Sequence, residues 1–369
     1  MKRVFYLDLL RIIGIIGVIM IHVATQNWEM LTPESSELLP LAFWEGINRF
    51  AVPLFVMISG AIFLDPKREI SIKRLWKHNI LRLVLVFFAF AAVYAAADLA
   101  FDKGWEAAIS DLVFGHFHMW FIVLIIGLYM ITPIARRVTA DEKTTRYFLN
   151  LAVPVVFILN WFVPLVAERL TEATGLIEMQ RLTVNYGYLG LSVLGGYLTY
   201  FILGYYLHKK VVRRKKLLYF FGVIGAVTQV AGTVILSRTS GEVSLAMRMD
   251  FIPSVLLLTM AVFVAGKQIG QRFQTKVEAD NKKLDGQMSG KVLRALTGVA
   301  SCVLGIYMVH ILVLALVNRI GLSDMTFTPW LAVPVVTIAV FVMSLVLVGV
   351  PKWIIGKVLL AGSCFDKHK

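Results

Sequence analysis

Two ionisable residues stand where an apolar helix would ordinarily carry leucine. In the run LDLLRIIGIIGVIMIHVATQ, residues 7–26, Arg11 lies well inside the hydrophobic stretch and His22 follows eleven positions later. Eleven residues of α-helix make about three turns, so the two side chains share one face about 16 Å apart along the axis. An ionised group at the centre of a bilayer costs on the order of 2.5–3.5 kcal/mol on the insertion scale. A stripe that bears this cost suits a buried, water-accessible site. Its chemistry would divide between an imidazole able to move protons near neutral pH and a guanidinium able to hold an anion.

Other polar groups recur inside apolar runs. Glu45 and Arg49 are spaced i,i+4, and Arg49 reads equally as a structural ion-pair partner of Glu45 or as a functional residue. His116 and His118 open an apolar run in GHFHMWF, and His310 closes GIYMVH. Each lone histidine reads equally as an interfacial or hydrogen-bonded packing residue. The basic loops read equally as orientation signals.

These residues sit in a chain of 369 residues that is 58% hydrophobic and 16% charged, the composition of a polytopic membrane protein. Ten apolar runs are long enough to span about 30 Å of hydrocarbon. They cover approximately 5–25, 42–64, 78–99, 117–136, 146–166, 186–208, 217–237, 250–268, 297–318 and 329–350. The fold class is therefore all-α, a single membrane domain over 1–369 with about ten transmembrane helices. A polar cytoplasmic loop is expected at about 269–296 and a short tail at 351–369.

Charge gives the orientation. Lys67, Arg68, Lys73, Arg74, Lys77 and Arg82 crowd the loop 66–82, and KKVVRRKK fills 209–216. The alternate loops 26–41, 98–115 and 167–185 are acidic or neutral. That is the positive-inside pattern, and it places both termini in the cytoplasm. It also accounts for the net charge of +14 without a nucleic-acid partner. In this topology Arg11 lies in the inner half of the membrane, while His22, Glu45, Arg49, His116, His118 and His310 gather in the outer half. His78, His208 and His368 fall at cytoplasmic ends. Lys2 and Arg3 mimic the start of a signal peptide, but Asp8 and Arg11 interrupt its core and no small-residue cleavage site follows. Cys302 and Cys364 form neither a disulfide framework nor a zinc site. The chain contains no P-loop and no dinucleotide fingerprint, which argues against an ATP-driven pump.

Four stretches, in order, resemble the bacterial acyltransferase-3 family of integral membrane O-acyltransferases. Leu7, Asp8, Leu10, Arg11 and His22 are similar to its first-helix signature. RFAVPLFVMISG, 49–60, resembles its Arg-x-x-Val-Pro-Leu-Phe-Phe-x-Ile-Ser-Gly element. FHMWF, at the start of 117–133, resembles its His-x-Trp-Phe element. SCVLGIYMVH, 301–310, resembles its Gly-Ile-Tyr-x-x-His element. The likeness is to stand-alone members such as the enterobacterial common antigen O-acetyltransferases. The sequence departs from the peptidoglycan O-acetyltransferases, whose extra C-terminal hydrolase-like domain is not expected here.

What this resemblance implies is acyl transfer, most often of acetyl, from cytoplasmic acetyl-CoA (acyl-CoA) to a hydroxyl of a surface glycan or its lipid-linked precursor, in a bacterial inner (plasma) membrane. No tightly bound cofactor or metal is implied; acyl-CoA is the donor co-substrate. His22 is then the general base, Arg49, His118 or Tyr307 are available to the oxyanion, and His310 is a further catalytic candidate. Arg11, with Arg74, Lys77 and Arg82, would hold the donor's phosphates, and Asp8, at i,i+3, would fix Arg11. Membrane lipid is a partner, and a homo-oligomer is left open. The rival reading is a secondary transporter of a polysaccharide precursor or small polar solute, since buried Arg and His also mark proton and substrate paths. Against it, the two halves show no matching pair of interrupted helices.

Overall fold

The computed structural model describes residues 4–175, 196–283 and 287–365. It is 82% helical with no strand among the described residues. In chain order the helices are α1 (Phe5–Thr25), α2 (Leu38–Asn48), α3 (Ala51–Phe63), α4 (Ile72–Ala100), α5 (Trp105–Phe114), α6 (Trp120–Ala140), α7 (Glu142–Phe157) and α8 (Val163–Thr174). They continue as α9 (Tyr197–Lys209), α10 (Lys215–Ser240), α11 (Pro253–Lys283), α12 (Gln287–Ala300), α13 (Val303–Arg319) and α14 (Pro329–Phe365).

Among the described residues seven spans are long and apolar enough to cross a membrane, or eight if the bent pair α12–α13 is one span. The chain is an all-α, multi-pass membrane protein. Ten spans were expected. The run 146–166 falls on α7 and α8, joined by π-helical residues Ile158–Phe162, and is not among the seven. In the run 186–208, residues 186–195 lie outside the described residues, and the remainder is α9.

Several runs that hydropathy draws as straight cylinders are interrupted. The run 42–64 breaks at Arg49–Phe50, between α2 and α3. The run 297–318 bends by 63° at Ser301–Cys302. At that bend Lys352 Nζ donates to the Ser301 carbonyl (2.9 Å) and hydroxyl (2.7 Å), satisfying backbone that the bend removes from the helical ladder. The loop expected over 66–82 is helical from Ile72, with a π-helical stretch at Leu75–Ile80. The polar segment 269–296 is also largely helical, since α11 runs on to Lys283 and α12 begins at Gln287. Continued α14 covers 351–365.

The chain divides into two compact units: Met1–Ala51, Val227–Met247 and Ala265–Lys369 in one, and Val52–Ala226 with Arg248–Val264 in the other. In the first unit α1 is central and packs on α2, α12, α13 and α14. Its Leu10, Ile15 and Ile19 are fully buried. In the second unit α3 crosses α9 at backbone contact. A Cβ on Gly60 would collide with the Phe201 carbonyl, and one on Gly204 with the Met57 backbone. Small residues are what allow membrane helices to come this close.

The end of α3 is capped from α6. Arg136 Nη1 donates to the Phe63 carbonyl at 3.0 Å, and Nη2 donates to those of Pro66 and Arg68. Thr139 Oγ1 donates to the Leu64 carbonyl at 2.8 Å. The last carbonyls of a helix have no partner within it, so this guanidinium fixes how α3 exits.

Candidate active site

Helix α1 presents the Arg11 and His22 of the sequence reading on a well-buried rod. Arg11 Nη1 donates to Asp8 Oδ1 at 2.6 Å; the Asp8 side chain is 1% exposed and the Arg11 side chain 30%. The i,i+3 pair thus holds the guanidinium from the buried side and leaves part of it accessible. Three turns further on, the His22 ring faces that of His310, with centroids 5.2 Å apart and planes at 46°. His310 is fully buried on α13. Its Nδ1 lies 2.6 Å from the Tyr307 carbonyl. A carbonyl can only accept, so Nδ1 carries the proton and Nε2 is the basic nitrogen of the neutral ring. The Tyr307 ring also lies against His310, at 5.7 Å between centroids. Residues 288 positions apart are brought together here, and the pairing follows from α13 packing on α1.

Arg49 sits where α2 gives way to α3. Its Nε and Nη2 both donate to Glu45 Oε1, with Glu45 buried and the Arg49 side chain 14% exposed. Of the two alternatives for Arg49, the ion pair is formed.

His116 and His118 belong to the second unit. Their Nδ1 atoms are 3.0 Å apart, so one ring donates and the other accepts. Tyr94 of α4 stacks on His116 (4.3 Å, 22°) and meets His118 edge-on (5.1 Å, 64°). Around this group lie Asp98, paired with Lys103 at 2.9 Å, and Asp111, 3.9 Å from His116 Nε2. Sequence reading took Asp98 and Asp111 only as markers of an acidic outer loop. Among the described residues no group of three or more His, Cys, Asp or Glu side chains could hold a metal ion.

Arg74, Lys77 and Arg82 are exposed along the first turns of α4. Also in the second unit, a cavity of about 290 Å³ is lined by Asp65, Lys67, Tyr205, Tyr206, Lys209 and Lys210 among others. Lys209 Nζ binds Asp65 Oδ2 at 2.7 Å, and Lys210 binds Glu142. Burial pushes the Asp65 carboxyl up, but hydrogen bonds from Lys209 and the Lys67 amide, with the charges of Lys209 and Arg68, hold it below the usual carboxylate range.

With this geometry in view, the comparison with known families decides the class. Residues 4–349 match the family described as an acyltransferase domain. The chain belongs to the acyltransferase-3 family. It is a membrane acyltransferase, and the match runs through α1, with Arg11 and His22, to α14. No curated protein and no solved structure matches this acyltransferase.

One polar cluster of the acyltransferase escaped sequence reading altogether. Asp324, fully buried between α13 and α14, accepts from Gln26 Nε2 at 2.7 Å and Asn27 Nδ2 at 2.5 Å, both at the end of α1. Asn318 Nδ2 in turn donates to Gln26 Oε1 at 2.8 Å. Burial raises the Asp324 carboxyl above its ordinary range against the opposing pull of the two amides. The available signal was a single acid in the short polar break between two apolar helices, with nothing local to name its partner.

Proposed function

We propose that this acyltransferase moves an acetyl group from cytoplasmic acetyl-CoA to a hydroxyl of a surface glycan or its lipid-linked precursor, with His22 as general base. The observation that carries this reading is the His22–His310 pair on α1 and α13 in a chain of the acyltransferase-3 family. A hydroxyl is too weak a nucleophile until its proton has somewhere to go, and a neutral imidazole supplies that place. The acceptor oxygen attacks the thioester carbonyl while His22 takes the hydroxyl proton. The tetrahedral oxyanion then collapses, the C–S bond breaks and the coenzyme A thiolate leaves, collecting a proton on release. Fixed donors lower the energy of the oxyanion; in the first unit the Tyr307 hydroxyl and Arg49 are the candidates. His310 also supports the rotamer of His22 by ring contact.

The donor is charged at its nucleotide end and must reach a base about 16 Å along α1 from Arg11. A long, thin pantetheine arm suits that separation. In the first unit Arg11, held by Asp8, is the cation proposed for the phosphate end or neck of the donor. In the second unit Arg74, Lys77 and Arg82 are exposed cations proposed to attract its nucleotide. The positive-inside pattern supports putting those residues on the cytoplasmic side and His22 towards the other face.

The test is donor chemistry. The full chain in lipid nanodiscs, given acetyl-CoA, should release free coenzyme A thiol slowly alone and faster with a crude glycan acceptor fraction. An intact donor in both conditions, with a solute accumulating unmodified inside proteoliposomes, would instead identify a transporter.

A further inference from the structure

At the end of α1 that carries His22, two loops enclose a cavity of about 310 Å³. One wall, residues 30–37, contributes Leu31, Ser35 and Glu37; the other, residues 325–329, contributes Met325, Phe327 and Thr328. Asp324 ties the walls together. It opens the second wall and receives the amides of Gln26 and Asn27, which lead directly into the first. Gln26 is one helical turn from His22, a rise of about 6 Å. Asp324 Oδ2 is buried and makes no protein hydrogen bond among the described residues.

We propose that this cavity docks the acceptor as a single uncharged sugar ring, with Asp324 as the positioning residue that keeps the two walls closed. The inference rests on the acyltransferase reading for the word acceptor, and on the cavity itself for the ligand class. Specific small-molecule pockets run from about 300 to 1,000 Å³, so this one has room for about one ring, and the rest of a larger acceptor would lie outside it. Its surface matches what a pyranose offers. Phe327, 40% exposed, with Leu31 and Met325, can cover an apolar C–H face. Ser35, Thr328 and Glu37 can pair with hydroxyls at the ring edge. A lipid chain would displace water from those three polar groups and bring no hydrogen bonds in its place, and an acidic sugar would meet Glu37 as a like charge.

The experiment needs no acyl donor. The full chain with Cys302→Ala, Cys364→Ala and Thr328→Cys, in nanodiscs, is labelled with a charged thiol reagent with and without methyl glycosides of neutral hexoses. At least one methyl glycoside should slow labelling about threefold at about 20 mM, the occupancy expected of a site with a Kd of about 10 mM. Ser35→Cys on the opposite wall carries the same test should Thr328→Cys fail to fold, and an exposed Thr239→Cys should not be slowed. Asp324→Ala should abolish the protection, whereas Asp324→Asn, whose amide oxygen still accepts from Gln26 and Asn27, should retain it. Labelling unaffected by every glycoside, or slowed equally at Thr239→Cys, overturns the proposal. Acetyl-CoA cleavage by the same protein without glycoside protection would defeat the cavity and leave the donor reading standing. Protection without cleavage would do the reverse.

Discussion

Replacing Asp8 by Asn tests whether the first-helix arginine is held in place for the donor. The substitution keeps shape and removes one charge from a buried position that is ion-paired with Arg11. At about 4 Å and an effective dielectric near 20, a charge pair is worth about 4 kcal/mol before desolvation. Because the Arg11 side chain is 30% exposed, water screens much of that. The Asn oxygen can also still accept one hydrogen bond from the guanidinium. The net loss of positioning is then about 1–2 kcal/mol, which corresponds to a 5–30-fold weakening. Equilibrium binding of acetyl-CoA in nanodiscs should show that weakening, with a Tm only slightly lowered. Arg11→Ala should weaken binding at least as much. If Asp8→Asn binds the donor as wild type does while Arg11→Ala fails to bind, the idea that Asp8 positions Arg11 is wrong. If both bind normally, Arg11 has no role in donor binding.

Three further outcomes follow from the packing. Gly60→Ala forces a methyl into the Phe201 backbone and should lower stability by about 3 kcal/mol or more, at the upper end of overpacking costs; Gly127→Ala, with open space around it, should not, and equal Tm values for the two would refute the crossing. Arg136→Ala leaves the carbonyls of Phe63, Pro66 and Arg68 without their donor and should cost about 2 kcal/mol, read as thermal unfolding in nanodiscs. Asp65 should make stability fall at acid pH: its folded pKa is depressed, so its contribution is present above the unfolded value near 3.8 and is lost as pH drops below that through the folded value. Asp65→Asn should flatten the Tm profile below pH 4; an unchanged acid limb would show that the Lys209 pair is not the cause.

Local spacing made part of this architecture legible. Asp8 with Arg11, and Glu45 with Arg49, are helical neighbours at i,i+3 and i,i+4, and both pairs form. Apolar run length identified a multi-pass helical protein for the same reason, since each span satisfies its own backbone. The His22–His310 contact was approachable only through depth, by counting spans and comparing positions across the membrane. The break at Arg49 and the 63° bend at residues 301–302 were invisible, because hydropathy averages composition and carries no backbone geometry. Arg136 caps a helix that ends 73 residues earlier, a contact that no local pattern around it reports. Asp324 pairs with Gln26 across almost 300 residues, and no periodicity reports such a contact.

The central claim is that His22 accepts the acceptor's proton. The most direct measurement is acetyl-CoA binding and turnover by the full chain in nanodiscs, wild type beside His22→Ala. Both proteins should bind the donor equally, with thioester cleavage and acyl transfer in the wild type only. Acyl transfer by His22→Ala at the wild-type rate would contradict that claim.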